Sequence, residues 1–187
     1  YEILTCDWSS DVCSSDLGYR PIVWHLMNYY AHYGHTDFVL CLGYQGDAIK
    51  NYFLNYRETL SNDFILSKGG REVTLLNRDI DDWTITFVDT GLQANIGQRL
   101  RAVRPFVADE EVFLANYADG LSDLPLDRYV EHFLARDKVA CCLSTHPPVA
   151  FHMLEAAEDG RVSRLCGLRG AVRINGDRKS TRLNSSH

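Results

Sequence analysis

Between residues 21 and 145, short runs that are apolar throughout alternate with longer stretches of helical period. After Pro21, the residues Ile22, Leu26, Tyr29, Tyr30 and Tyr33 fall three and four apart, and Gly34 supplies a stop. DFVLCLGY follows; it is too short for a helix and lacks polar alternation, so it reads as a strand buried on both faces. GDAIKNYFLNY is a second helix, with Asp47 near its N-terminus. WTITFVDTG is a strand, IGQRLRAVRPFV a helix cut by Pro105, and EVFLANYAD another buried strand. LPLDRYVEHFLARD is a helix with Asp123 as its cap and Pro125 in its first turn. VACCLSTH is a strand, FHMLEAAEDGRVSRLCG a hairpin around Asp159-Gly160, and AVRIN the start of one more strand. The mixed, polar residues 57–82 hold a loop or small hairpin turning at Gly69-Gly70.

This rhythm dictates an α/β, Rossmann-like fold: a mostly parallel sheet with helices on both faces. Ligands of such sheets bind outside the carboxyl ends of the strands. Residues 43–46, 89–97 and 117–123 leave those ends, and chemistry is expected there.

The two ends of the chain do not share the pattern. CDWSSDVCSSDL near the start and DRKSTRLNSSH at the end can be encoded by opposite strands of one DNA sequence, which has the form of a sequencing-library adapter. Residues 1–17 and 177–187 are therefore expected to be non-native tails, and residues 18–176 a partial domain open at both ends. On this reading the sheet lacks a strand from its middle, and Cys6 and Cys13 carry no chemistry.

A net charge of −6 without an obvious basic cluster argues against nucleic-acid binding by phosphate neutralisation. There is no apolar run of membrane-spanning length and no signal-peptide pattern, so a cytoplasmic, reduced protein is expected. Cys41, Cys141 and Cys142 lie in apolar strand-like runs, where cysteine acts as a small hydrophobe. Adjacent in one strand, Cys141 and Cys142 point to opposite faces and cannot share a metal. His25 and His32 share a helix face but lack partners at ligand spacing.

Asp119 ends an apolar strand and precedes Gly120, a placement that fits either a turn residue or a ligand for a hard cation such as Mg²⁺. Asp89-Thr90-Gly91 is placed alike, ahead of a helix starting near Ile96-Gly97 whose N–H groups and dipole could receive a phosphate. Spacing alone favours a solvated basic helix face for Arg99 and Arg101. Gly43 and Gly46 either make a tight turn or let the backbone approach a base or ribose.

GYRPIVWHLMNYYAHYGHTDFVLCLGYQGDAIKNYF resembles the glucose-1-phosphate cytidylyltransferases, within the wider sugar-phosphate nucleotidyltransferases. WTITFVDTG, GQRLRAV, FLANYADGLSD, the Pro147-Pro148 pair and a final Ile-Asn-Gly continue the resemblance across residues 18–176. It implies a GT-A-like domain that transfers a cytidylyl group from CTP to glucose 1-phosphate with Mg²⁺. It also implies a metal role for Asp119, nucleotide binding at Gly43, Thr90, Gly97 and Arg99, and sugar binding at Asn175. The implied partners are CTP or another nucleoside triphosphate and a sugar 1-phosphate, with neither nucleic acid nor membrane; homo-oligomerisation stays open. The family's Gly-Gly-x-Gly-Thr-Arg phosphate loop is absent, His152 stands where the family has glycine, and no Glu-Lys-Pro motif lies around residues 165–169. The chain by itself is thus expected to be inactive. Two other classes stay open: a nucleotide-sugar-dependent glycosyltransferase using Asp119 and Asp123, and a non-catalytic sensor or assembly domain.

Overall fold

A computed structural model describes residues 2–5, 16–17, 20–145, 152–156, 162–167 and 174–182. The elements in chain order are β1 (Glu2–Thr5), β2 (Asp16–Leu17), β3 (Arg20–Pro21), α1 (Ile22–His32), β4 (Asp37–Leu42), α2 (Gly46–Leu54), a 3₁₀ turn (Glu58–Leu60), β5 (Phe64–Ser67), β6 (Glu72–Leu75), β7 (Thr84–Asp89), α3 (Ile96–Val107), β8 (Val112–Tyr117), α4 (Leu126–Leu134), β9 (Ala140–Thr145), β10 (His152–Ala156), β11 (Val162–Gly167) and β12 (Ile174–Arg182). Six strands form the central sheet in the order β7-β4-β1-β8-β12-β9. The first four are mutually parallel, while β12 runs antiparallel to both β8 and β9.

The run Phe38-Val39-Leu40-Cys41-Leu42 in β4 is buried throughout, as an interior parallel strand must be. Its alternate residues serve two cores. Phe38, Leu40 and Leu42 pack with Val23, Leu26, Met27 and Tyr30 of α1, Ile49 of α2 and Leu126 of α4. Val39 and Cys41 pack on the opposite face with Val103 and Val107 of α3. Helices thus cover both faces, and each fully buried large aliphatic side chain contributes about 1.5–3 kcal/mol.

The buried stripe of α1 is Val23, Trp24, Leu26, Met27 and Tyr30. Ile22, Tyr29 and Tyr33 from the expected stripe are only partly buried. Tyr29 instead reaches sideways, its hydroxyl donating to the Leu124 carbonyl ahead of α4. Gly34, at φ 86°, ends the helix, and the His35 N–H returns to Tyr30 O at 3.1 Å.

Three local expectations need correction. Helix α3 runs through Pro105 to Val107, because a proline in the exposed last turn removes only one terminal hydrogen bond. The N-cap of α4 is Pro125, not Asp123, and no side-chain oxygen caps it. The middle of the sheet is not empty: Glu2–Thr5 lies between β4 and β8. Two parallel neighbours leave a slot of unpaired backbone groups, and a β-capable tetrapeptide with two apolar residues fills it. Ile3 enters the α3 core and Leu4 the α1 core, both fully buried. Residues 178–182 likewise pair with Val112–Asn116 of β8.

The excursion between α2 and β7 includes the antiparallel β5–β6 hairpin at the expected turn. Arg20, 3% exposed, ties this excursion to the start of α1. Its guanidinium pairs with Asp79 at 3.2 Å, donates to Arg57 O at 3.0 Å and to Ser61 Oγ, and lies 4.0 Å from the Tyr56 ring centroid. Asp79 also accepts from Tyr56 Oη at 2.7 Å and from Ser61 Oγ at 2.5 Å. Burial alone would raise the Asp79 carboxyl, but hydrogen bonds from Ser61, Tyr56 and Asn62 and the Arg20 charge outweigh it and hold the group below its usual range. Burial and the bond to Asp79 push the Tyr56 phenol up.

Strands β10 and β11 pair antiparallel as expected, while the turn at Asp159-Gly160 lies outside the described residues.

Candidate functional site

At the carboxyl ends of the adjacent strands β4 and β7, Gly43, Thr90 and Arg99 meet. The Thr90 N–H and hydroxyl both reach the Leu42 carbonyl, at 2.9 and 2.8 Å, which locks the loop after β7 to the end of β4. Arg99 projects from the first turns of α3 and donates from Nη1 to Thr90 Oγ1 at 2.7 Å. Its side chain is fully buried, unlike that of the exposed Arg101, so the solvated-face reading fits Arg101 alone. The guanidinium lies directly beneath Gly43. A Cβ at position 43 would come within 2.8 Å of Arg99 Nη2 and 3.0 Å of Nη1, which is why only glycine fits there. The floor of the crevice is therefore a buried cation clamped under two loops.

The same cation reaches the interior. Burial pushes the Cys41 thiol up to about 12, with Arg99 acting in the opposite direction. Cys41 is thus a protonated core residue.

The loop after β7 is built for a helix start. Asp89 Oδ1 accepts from Gly91 N at 3.0 Å, and Gly91 sits at φ 91°. Asn95 and Gln98 form a reciprocal capping box, at 2.9 Å to Gln98 N and 2.8 Å to Asn95 N. The box leaves the N–H groups of Ile96 and Gly97 at the open end of α3. Gly97 is exposed, and a Cβ there would meet only Asn95 Oδ1 at an ordinary 3.5 Å. Its own fold does not demand glycine; close approach by a ligand would.

Asp119 follows β8 in an exposed turn, closed by Gly120 N to Tyr117 O at 3.3 Å. Asn116, 3% exposed, pins this turn by donating to Gly120 O at 3.2 Å. Sequence reasoning passed over Asn116, although one amide in an otherwise apolar strand was the available signal. Ser122 accepts from Leu124 N at 3.0 Å, and Asp123 is exposed on the same loop. Asp119 stands apart from the Gly43–Thr90–Arg99 cluster, since β1 separates β8 from β4. Asn175 lies on β12, beside β8, paired with Ser144; its side chain lies outside the described residues, as does that of His152.

Among the described residues no three His, Cys, Asp or Glu side chains gather as a metal site. One exposed carboxylate with room for water and substrate phosphates still suits Mg²⁺, which keeps much of its hydration and takes few protein ligands. No helix among the described residues is long and apolar enough to cross a membrane.

No protein-family model matches the chain. It is 37% identical over 141 residues to the glucose-1-phosphate cytidylyltransferase of Salmonella typhimurium, covering 75% of this chain and 54% of that protein. It is 34% identical over 144 residues to a probable glucose-1-phosphate cytidylyltransferase of Bacillus subtilis, covering 77% of this chain and 55% of that one. The chain spans about half the length of these relatives. The resemblance read from the motifs therefore holds over three quarters of the chain. Among solved structures, HddC from Yersinia pseudotuberculosis complexed with GMP-PN superposes with a TM-score of 0.62 at 14% identity, over 97% of this chain and 76% of that one. A putative glucose-1-phosphate thymidylyltransferase from Bacillus anthracis gives 0.59 at 14% identity, over 97% and 70%. These likenesses establish the fold, an α/β sheet with helices on both faces.

Proposed function

We propose that this chain is the nucleotide-binding portion of a sugar-1-phosphate nucleotidyltransferase acting on CTP and α-D-glucose 1-phosphate, to give CDP-glucose and diphosphate. The observation that carries this reading is the meeting of Gly43, Thr90 and Arg99 at the carboxyl ends of parallel strands. The 37% identity to a glucose-1-phosphate cytidylyltransferase supports the choice of substrates.

The chemistry asks little covalent work of the protein. The sugar phosphate oxygen is already ionised, so no base is needed. It forms a bond to the α-phosphorus in line as the bond to the bridging oxygen breaks, and diphosphate leaves with that electron pair. Catalysis then rests on positioning and charge neutralisation. Arg99 holds the two loops that face the nucleotide and places a fixed positive charge beneath them. The open N–H groups at Ile96 and Gly97 and the α3 dipole are suited to a phosphate oxygen. Asn175 is assigned to the sugar. Asp119 would hold Mg²⁺, which when bound neutralises phosphate charge and orients the leaving diphosphate.

We further propose that residues 1–17 and 177–187 are not native, and that the 187-residue chain is inactive by itself. Glu2 supports the first part: its carboxylate is buried in a central strand, with Oε1 2.9 Å from His35 Nδ1 and no hydrogen-bond partner for Oε2 among the described residues. Sequencing the source gene across both junctions tests it, and uninterrupted native coding sequence there refutes it.

The activity is tested by following diphosphate release from CTP, UTP and dTTP with glucose 1-phosphate and Mg²⁺ in the full-length parent. Preferential turnover of CTP is expected. Consumption of CDP-glucose without diphosphate release would identify a glycosyltransferase instead.

A further inference from the structure

The β5–β6 hairpin is an isolated two-stranded ribbon, pairing only with itself. Its register places Phe64 opposite Leu75 and Leu66 opposite Val73. Directly opposed residues and alternate residues of one strand share a face, so these four form one wholly apolar face. The other face carries Ile65, Ser67, Glu72 and Thr74. The apolar face belongs to neither core: Phe64, Leu66 and Val73 are 41%, 59% and 50% exposed. Leu60 and Leu76, which flank the ribbon in sequence, are also exposed. A lone two-stranded ribbon is marginal in water, and one that presents only apolar groups on a face needs a cover.

The charges on the ribbon indicate what that cover is. At the tip, Lys68 pairs with Glu72, and Arg71 adds a further positive charge beside the Gly69-Gly70 turn. At the base stands Asp63, exposed, its carbonyl accepting from Leu76 N at 2.9 Å. The ribbon is thus positive at one end and negative at the other. A second ribbon of the same sequence, turned about a two-fold axis through the centre of the face, sets each Arg71 over the partner's Asp63. The same operation packs Phe64, Leu66, Val73 and Leu75 against their own copies.

We propose that this face docks a second copy of the chain, in an isologous ribbon-on-ribbon dimer. The surface lies away from the strand ends that carry the candidate nucleotide site, so the proposal stands whether or not that assignment does. Four side chains from each ribbon make a small interface, with dissociation on the order of 10 µM.

The test is light scattering and sedimentation of the 187-residue chain across a concentration series. Reversible dimerisation is expected. Leu66→Lys and Val73→Lys should each shift the chain to monomer over the same range, while Thr74→Lys on the opposite face should leave the dimer intact. Arg71→Glu and Asp63→Arg should each weaken association at least tenfold, and the double variant should restore it. Because these positions are exposed, unchanged circular dichroism separates lost docking from lost folding. A monomer at every concentration overturns the proposal. So does a dimer that survives Leu66→Lys and Val73→Lys, or charge variants that fail to compensate.

Discussion

Arg99 shows how one side chain turns a pattern into a site. A basic residue on a helix with other basic residues is ordinarily solvated, and nothing in the GQRLRAV spacing separates Arg99 from Arg101. Only the loop after β4 passing over Arg99 buries it. Gly43→Ala should therefore push the guanidinium off Thr90 and cost about 2 kcal/mol, read as a lower thermal midpoint. An unchanged midpoint would mean that the close approach of Gly43 and Arg99 is absent. Asp79 gives a pH-dependent case. Its folded carboxyl lies below the unfolded value near about 4, so its stabilisation is present above that pH and is lost as pH falls through the lower folded value. Asp79→Asn should then cost on the order of 3 kcal/mol at pH 7 by leaving Arg20 without its carboxylate. That gap should narrow as acid denaturation is followed below about pH 4; a gap independent of pH would count against the pairing. Cys41, with its thiol pushed up to about 12, should escape a thiol reagent at pH 8 while the exposed Cys142 reacts, as peptide mapping would show.

At the scale of elements, local chemistry set the starts and stops better than it set the partners. Pro21 and Gly34 bracket α1 as glycine and proline rules require, and Asn95 with Gln98 opens α3. Pro105 misled because the rule against proline in helices applies to the interior, and position 105 lies in the last turn. The middle strand misled for a different reason. A slot between two parallel strands accepts any short segment that can pair on both sides and bury two apolar side chains. Glu2–Thr5 meets that demand despite lying outside the strand–helix rhythm. Leu4→Pro removes an N–H from this strand and should cost about 3 kcal/mol or more, seen as a large drop in the unfolding midpoint. An unchanged midpoint would show that residues 2–5 do not hold the slot. Glu2→Val removes a buried carboxylate oxygen without a hydrogen-bond partner, and the same measurement should show stabilisation of about 1 kcal/mol.

For the whole molecule, the readings divide by the range of the interaction behind them. The ribbon should set the assembly state and the loops beyond β4, β7 and β8 the activity, so Leu66→Lys in the parent should dissociate the dimer while leaving nucleotide affinity within about twofold. Sequence determined the α/β class, the two-faced burial of β4 and the loops at which to look. Strand and helix periods are local, and an apolar run such as Phe38–Leu42 has no stable place except the interior of a sheet. Tertiary structure decided the strand order, the strand in the middle, the burial of Arg99 under Gly43 and the exposure of the Phe64–Leu75 face. Each of these depends on which distant segment arrives beside a residue. Arg99 and Gly43 are more than fifty positions apart in sequence, and no period carries that distance.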